Sequence, residues 1–310
     1  MNFIALASII IDDIVLPTGE TRMGVLGGAG THSVYGMRIW TEEVGFVTTV
    51  GADFPPALRR QLEEAGIDLQ GMRVHASATA RAWQIFEFDG HRTEIFRTPM
   101  DEFYRHRPTA QDIPPAYFRA KGFHIFRAPA GMLELVRALR AQGVETILWE
   151  PTPMAFQPQH LPGFQEALPQ ADIFSPNLEE SALLLGEQEP ERILERYLAM
   201  GARVVALRMG AEGSLVAQAG DERRWHIPAA PARVVDVTGA GNSYAGGFLV
   251  GYARTGDPRL AGLHGAVSAS FTVEQFGMPP ITPDITQRAQ ERLHALDARV
   301  RGWHTDREAG

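Results

Sequence analysis

"VVDVTGAGNSYAGGF", Val234 to Phe248, is the stretch on which the fold turns. Gly239, Ala240 and Gly241 are small enough for the backbone to approach a ligand closely. A helical pattern begins near Asn242, so free N–H groups and the positive end of a helix dipole meet at this turn. The spacing predicts an anion hole. The same glycines would also pack a helix tightly on a strand, and a lone G-x-G does not separate the two readings.

Outward from that turn, short runs rich in Val, Ile and Phe alternate with helical patterns. Strands are predicted at 46–50, 122–127, 146–149, 172–175 and 204–208. Between them, "PALRRQLEEAG" and "GMLELVRALRAQG" place apolar residues at helical spacing and end on glycines suited to close a helix. This βαβα order predicts a mainly parallel sheet between helices in a single domain over 1–300. No internal repeat or low-complexity linker divides it.

Two stretches depart from the rhythm. "TARAWQIFEFDGHRTEIFR" alternates polar and apolar residues around Asp89-Gly90, a two-residue hairpin signal, and "IDDIVLPTGETRMGV" reads as extended. Strands at about 12–25 and 72–98 are therefore expected to form a small sheet, either a surface hairpin or a lid over a pocket. Its apolar strand pattern hints at a homodimer through the lid. "MNFIALASIIIDD" reads as one buried first strand, since it lacks a basic flank and a cleavage site. The tail 301–310 is polar and expected to fray.

Composition narrows the function classes. The 310 residues are 45% hydrophobic and 21% charged, an ordinary balance for a folded chain with a sizeable core. A net charge of −8 argues against nucleic acid or an anionic membrane as partner. No apolar run approaches the roughly 20 residues that span a bilayer. With no cysteine there is neither a disulfide framework nor a thiolate metal site, which suits a cytoplasmic protein.

The glycine turn and three distant segments together resemble the pfkB/ribokinase family of carbohydrate kinases. "VVDVTGAGN" is similar to the family's D-T-x-G-A-G-D signature, with Asn242 in place of the final Asp. "VLGGAGTHSVYG" (25–36) resembles its di-glycine signature, "SPNLEES" carries N-x-x-E at Asn177 and Glu180, and "LRMGAEGSLV" resembles its nucleotide strand and turn. Four motifs in order, over about residues 3–295, are far more specific than one. More narrowly, "IIIDDI", "GGAGT", "DFPP", "WEPTP", "SPNLEE" and "TGAGN" resemble the fungal killer-maintenance branch, which also tends to carry Asn after the turn.

The resemblance implies a ribokinase-like three-layer α/β fold with a small β lid, ATP and Mg2+ as cofactors, and a hydroxyl compound as phosphoryl acceptor. It implies that Asp12, with Gly27, Gly28, Gly30 and His32, binds the substrate, and that Asp13 assists less directly. Asn177, Gly210, Gly213 and Thr238 would bind the nucleotide, and "VEQFGMPPI" would close over its base. Glu180 would act on Mg2+ through water, and Asp236 would lie where relatives bind K+. Each has a plainer reading. Asp12 and Asp13 can be a strand end facing water, the glycines a turn before a helix, His32 a structural histidine, and Asn177 with Glu180 an ordinary helix start. The pocket also departs from the sugar-kinase pattern, with Ile10 where a polar residue and His32 where Asn is usual. Arg81, Arg97 and Arg127 offer cations for a polar substrate group but equally read as solvated strand arginines.

Asn242 divides fold from activity. The family's Asp accepts the proton of the acceptor hydroxyl, and Asn cannot; losing a general base costs about 10²–10⁴ in rate. Two expectations follow: a kinase acting on a sugar, nucleoside or similar compound with proton acceptance from Asp12, substrate phosphate or solvent, or a pseudokinase that binds nucleotide or polyol as sensor or scaffold.

Overall fold

The computed structural model describes residues 1–88 and 92–304, so the Asp89-Gly90 turn lies outside the described residues. The strands are β1 (Phe3–Leu6), β2 (Ile10–Val15), β3 (Thr21–Gly27), β4 (Val44–Gly51), β5 (Asp68–His75), β6 (Arg81–Phe86) and β7 (Arg92–Phe96). They continue as β8 (Gly122–Phe126), β9 (Thr146–Glu150), β10 (Ile173–Phe174), β11 (Val204–Arg208), β12 (Ser214–Gln218), β13 (Arg223–Ile227) and β14 (Arg301–His304). The helices are α1 (Ala29–Arg38), α2 (Pro56–Glu64), α3 (Met100–Arg105), α4 (Pro129–Ala141), α5 (Leu161–Ala167), α6 (Leu178–Leu185), α7 (Pro190–Ala199), α8 (Ala240–Thr255), α9 (Pro258–Thr272) and α10 (Ile285–Asp297).

Ten strands form the main sheet in the order β14-β13-β12-β11-β10-β9-β8-β1-β4-β5. The strands from β11 to β5 run parallel, and β12, β13 and β14 add antiparallel pairs at one edge. Helices cover both faces, and so the central strands are mainly apolar, with buried exceptions such as Thr48, His124 and Glu150. In β1 the two-residue alternation is plain. Phe3 and Ala5 enter the core beneath α1, α8, α9 and α10, while Ile4 and Leu6 enter the core beneath α4 to α7.

The smaller sheet runs β3-β2-β6-β7. Two expectations change here. The N-terminal apolar run is not one strand: β1 ends at Leu6 inside the main sheet and β2 begins at Ile10 inside the small one. At the crossing, the Ile9 N–H donates to the Thr48 hydroxyl at 3.2 Å. That side chain satisfies a backbone donor where the chain leaves its first ladder. The segment 72–75 belongs to β5 in the main sheet, so from that region the small sheet takes only 81–86 and 92–96. The tail is also corrected in part, because 301–304 pairs with β13 and sets Trp303 opposite Arg224.

Close helix packing carries the glycine turn. A Cβ on Gly36 would overlap the Ser243 backbone, and one on Gly246 would overlap the Ser33 carbonyl, so α1 and α8 cross with their backbones nearly in contact. Gly246→Ala is therefore expected to destabilise the protein by about 1–3 kcal/mol through overpacking. Urea denaturation checks this, and an unchanged midpoint would contradict it.

Candidate active site

A cleft of about 790 Å3 opens between the small sheet and the carboxyl ends of the parallel strands. Phe126, Glu150 and Arg208 are the last residues of β8, β9 and β11, and all three line it. Ligands in open α/β sheets bind at this edge because the loops and helix N-termini there leave backbone donors free. Asp12, Gln84, Arg92, Glu94 and Phe96 face it from the small sheet.

At one end stands the glycine turn. Gly239 takes φ 73°, a left-handed conformation that glycine adopts without strain, and begins α8. The Ala240 N–H donates to the Val237 carbonyl at 3.2 Å and the Ser243 N–H to the Gly239 carbonyl at 2.9 Å. The Gly241 and Asn242 N–H groups have no backbone acceptor among the described residues. Ala240 is thus occupied by the turn itself. Beneath the turn lies His32: a Cβ on Gly239 would overlap its ring, and burial pushes its pKa down to about 3, so the imidazole is neutral. Among the described residues, neither of its ring nitrogens has a partner, nor does the buried Thr238 hydroxyl. Buried polar atoms left unsatisfied are costly, and three of them here border a cleft that a polar ligand would fill. Asp236 does not face the cleft; its Oδ1 accepts from the Thr238 N–H at 2.8 Å and folds the approach to the turn.

Asn242 is not alone. Its Nδ2 donates to Glu150 Oε1 at 3.0 Å, and the same oxygen accepts from Arg208 Nη1 at 2.7 Å. The other carboxylate oxygen meets His124 Nε2 at 3.0 Å. Burial would raise the pKa of Glu150, but Arg208, His124 and Asn242 outweigh it and hold the carboxyl below its ordinary range. Arg208 is pinned as well, donating to the Ser175 and Pro176 carbonyls. A Cβ on Gly241 would overlap its guanidinium, so this glycine makes room for the cation.

A second polar cluster lines the same cleft from the small sheet. Asp12 Oδ1 accepts from Gln84 Nε2 at 3.1 Å, Gln84 also donates to Glu94 at 2.8 Å, and Arg92 donates to the Gln84 carbonyl oxygen at 3.1 Å. Burial pushes the Asp12 pKa up to about 7, the Gln84 bond opposing it. A Cβ on Gly27 would overlap the Asp12 carboxylate, so this glycine shapes the pocket by vacancy. Asp13 points the other way, as strand alternation requires, and takes the Gly24 N–H and Arg97. Beside this polar cluster lies an apolar wall of Phe96, Met100, Phe103, Tyr104, Phe126 and Met154.

The remaining expected residues divide. Asn177 caps α6, accepting from the Glu179 N–H at 2.8 Å, and so aims the helix start at the cleft. Glu180 lines the cleft with its pKa pushed up to about 7 by burial. Gly28, with φ 91°, lines it too, but Gly30 packs against Phe46 and the chain at Ala7. Gly210 and Gly213 form the turn between β11 and β12, where a Cβ on Gly213 would overlap the Ile227 carbonyl, and neither lines the cleft. Arg81 pairs with Asp53, Arg97 with Asp13, and Arg127 donates to the Pro108 and Phe126 carbonyls, and none of the three lines the cleft. Sequence reasoning missed Glu150, Arg208, Gln84, Arg92 and Glu94. A strand-end carboxylate in "WEPTP" was the one signal within reach.

Comparison with known proteins bears on the family and the fold. The pfkB family carbohydrate kinase profile matches residues 2–284. The chain is 28% identical to an uncharacterised Schizosaccharomyces pombe protein, covering 91% of this chain and 87% of that one. Identity to the cytidine kinase of Thermococcus kodakarensis is 27%, over 82% of this chain and 89% of that one. For the Saccharomyces cerevisiae protein MAK32 it is 28%, over 88% and 85%. Among solved structures, a candidate ribokinase II from Escherichia coli in complex with ATP and Mg2+ superposes with a TM-score of 0.75 at 20% identity, over 96% of this chain and 99% of that one. The nucleoside kinase of Burkholderia thailandensis in complex with inosine gives 0.74 at 18%, over 98% and 100%.

Proposed function

Because the chain belongs to the pfkB family of carbohydrate kinases, with the ribokinase-like fold, we propose that its cleft transfers the γ-phosphoryl group of ATP to a hydroxyl of a nucleoside. The observation that carries the reading is the pairing, in one cleft, of an N-terminal helix cradle with an acid-amide cluster that suits ribose-like hydroxyls. The apolar wall favours a nucleoside over a plain sugar, since a flat base stacks on aromatic side chains. The relatives include a cytidine kinase, and one structural neighbour holds inosine.

The residues present fit the triphosphate and its metal. The Gly241 and Asn242 N–H groups and the Thr238 hydroxyl would hold the transferring phosphoryl oxygens. Glu180 would hold Mg2+ through water, in keeping with an ion that retains most of its hydration. When bound, Mg2+ supplies neutralisation of the developing phosphate charge. In the transfer, the acceptor oxygen forms a bond to the γ-phosphorus, the bond to the β,γ-bridging oxygen breaks, and ADP leaves. The hydroxyl proton passes to Asp12, the carboxylate on the acceptor side whose proton affinity matches neutral pH.

One observation favours a second reading. Asn242 cannot take a proton, so the cleft would bind nucleoside and ATP without turning them over, as a sensor or scaffold. Thermal unfolding with and without Mg-ATP, followed by a panel of nucleosides and sugars, tests both. The transfer reading expects Mg-ATP and a nucleoside each to raise Tm, with ADP released when both are present. Protection by ligands without ADP release would select the second reading, and no protection by any ligand would end both.

A further inference from the structure

An amide and a carboxylate share a hydrogen bond in only one sense. Glu150 is an acceptor, so the Asn242 Nδ2 must face it, and the 3.0 Å contact fixes that orientation. The opposite atom, Oδ1, then accepts from no protein group among the described residues, and Asn242 lines the cleft. The carboxylate that the glycine turn lacks therefore stands one hydrogen bond deeper, on β9.

We propose that Glu150 is a positioning residue of the transfer site, holding Asn242 so that its amide oxygen accepts from a hydroxyl of the acceptor next to the one whose proton passes to Asp12, and that Glu150 and Asn242 are an exchanged pair in which only one member can be a carboxylate. The role toward the acceptor rests on the transfer reading above; the exclusion does not. Two buried carboxylates in hydrogen-bond contact cannot both ionise, and they would share a proton. Glu150 on β9 touches Asn242 directly, His124 on β8 and Arg208 on β11 touch Glu150, and Glu180 on α6, neutral His32 on α1 and Arg92 of the small sheet line the same cleft. Arg208 is already paired with Glu150, so a second anion at 242 would compete with Glu150 for the same single positive charge. Asn242→Asp alone thus does not restore a base, whereas the exchange Asn242→Asp with Glu150→Gln moves the single carboxylate to the turn.

Thermal unfolding of the wild type, both single variants and the exchanged pair, from about pH 5.5 to about pH 8.5, tests the exclusion. A carboxyl whose folded pKa is raised loses its stability as pH rises. The Asn242→Asp protein is therefore expected to melt about 4 °C below wild type at the alkaline end and close to it at the acid end. Adding Glu150→Gln should remove that gap. If Glu150→Gln does not fold alone, the pH dependence of Asn242→Asp still decides. In phosphoryl transfer to a nucleoside, Glu150→Gln should lower kcat about tenfold or more with the acceptor KM little changed, and the exchanged pair should regain it. A pH-independent gap with additive single effects overturns the proposal whether or not any variant turns over. Coupled stabilities with no turnover in any variant would leave the pair standing and remove the transfer reading, with Glu150's role toward the acceptor.

Discussion

Asp12→Asn is expected to lower kcat about 10²- to 10⁴-fold while leaving the binding of Mg-ATP unchanged. The reason is its setting. Burial raises the carboxyl's pKa to about 7, so the side chain is half ionised near neutrality and both takes and releases a proton readily. A base must be ionised to act, so kcat/KM in the wild type should rise with pH through about 7 and then level off. The variant should lack that limb. Stability should move the other way. A raised carboxyl pKa means that the folded protein holds its proton more tightly than the unfolded chain, so stability falls as pH rises between the ordinary value and about 7. Asp12→Asn removes this penalty and should stabilise the protein by about 1–3 kcal/mol near pH 8. A stabilised, slow enzyme would be the signature of a strained functional carboxylate, and a destabilised one would mark Asp12 as structural.

Arg208→Met carries the largest expected loss of stability, about 3–5 kcal/mol by urea denaturation at neutral pH. The substitution keeps the bulk of the aliphatic stem but strips Glu150 of its cation inside a buried site, leaving His124 and Asn242 as its remaining partners. In the wild type, Glu150 has a depressed pKa, and its contribution is present above the ordinary carboxylate range and lost as pH falls. Without Arg208 burial prevails and the sign reverses, so the variant's deficit should shrink on acidification. A small, pH-independent loss would show that the ion pair carries little of the site's stability.

Much of this architecture was legible in the sequence, for physical reasons. The parallel sheet announces itself because strands covered on both faces are mainly apolar and alternate with amphipathic helices, as 46–50, 122–127 and 204–208 do. The glycine turn was legible because few residue types permit the left-handed backbone at Gly239 and the overlap-free approach of Gly241 to Arg208. What the sequence concealed depends on contacts between distant segments. Glu150 looks like any strand-end acid until β9 is set beside α8, and its bond to Asn242 spans 92 positions. Gln84, Arg92 and Glu94 alternate as an exposed hairpin would, and only the packing of β6 beside β2 turns them toward Asp12. The split of the N-terminal run had no glycine or proline to mark it. Gly30 resembled a ligand glycine because the motif does not say which members of a glycine cluster serve the ligand and which, like Gly30 against Phe46, serve the core.

The central claim is that this cleft transfers phosphate although the glycine turn ends in Asn242. The most direct test incubates the purified wild-type chain with Mg-ATP labelled at the γ-phosphate and a nucleoside panel, and follows label by chromatography and mass. The account predicts a phosphorylated nucleoside formed in step with ADP, at a rate that rises through about pH 7 and collapses in Asp12→Asn. ATP and nucleoside that bind together yet yield no labelled product above the enzyme-free rate would contradict it.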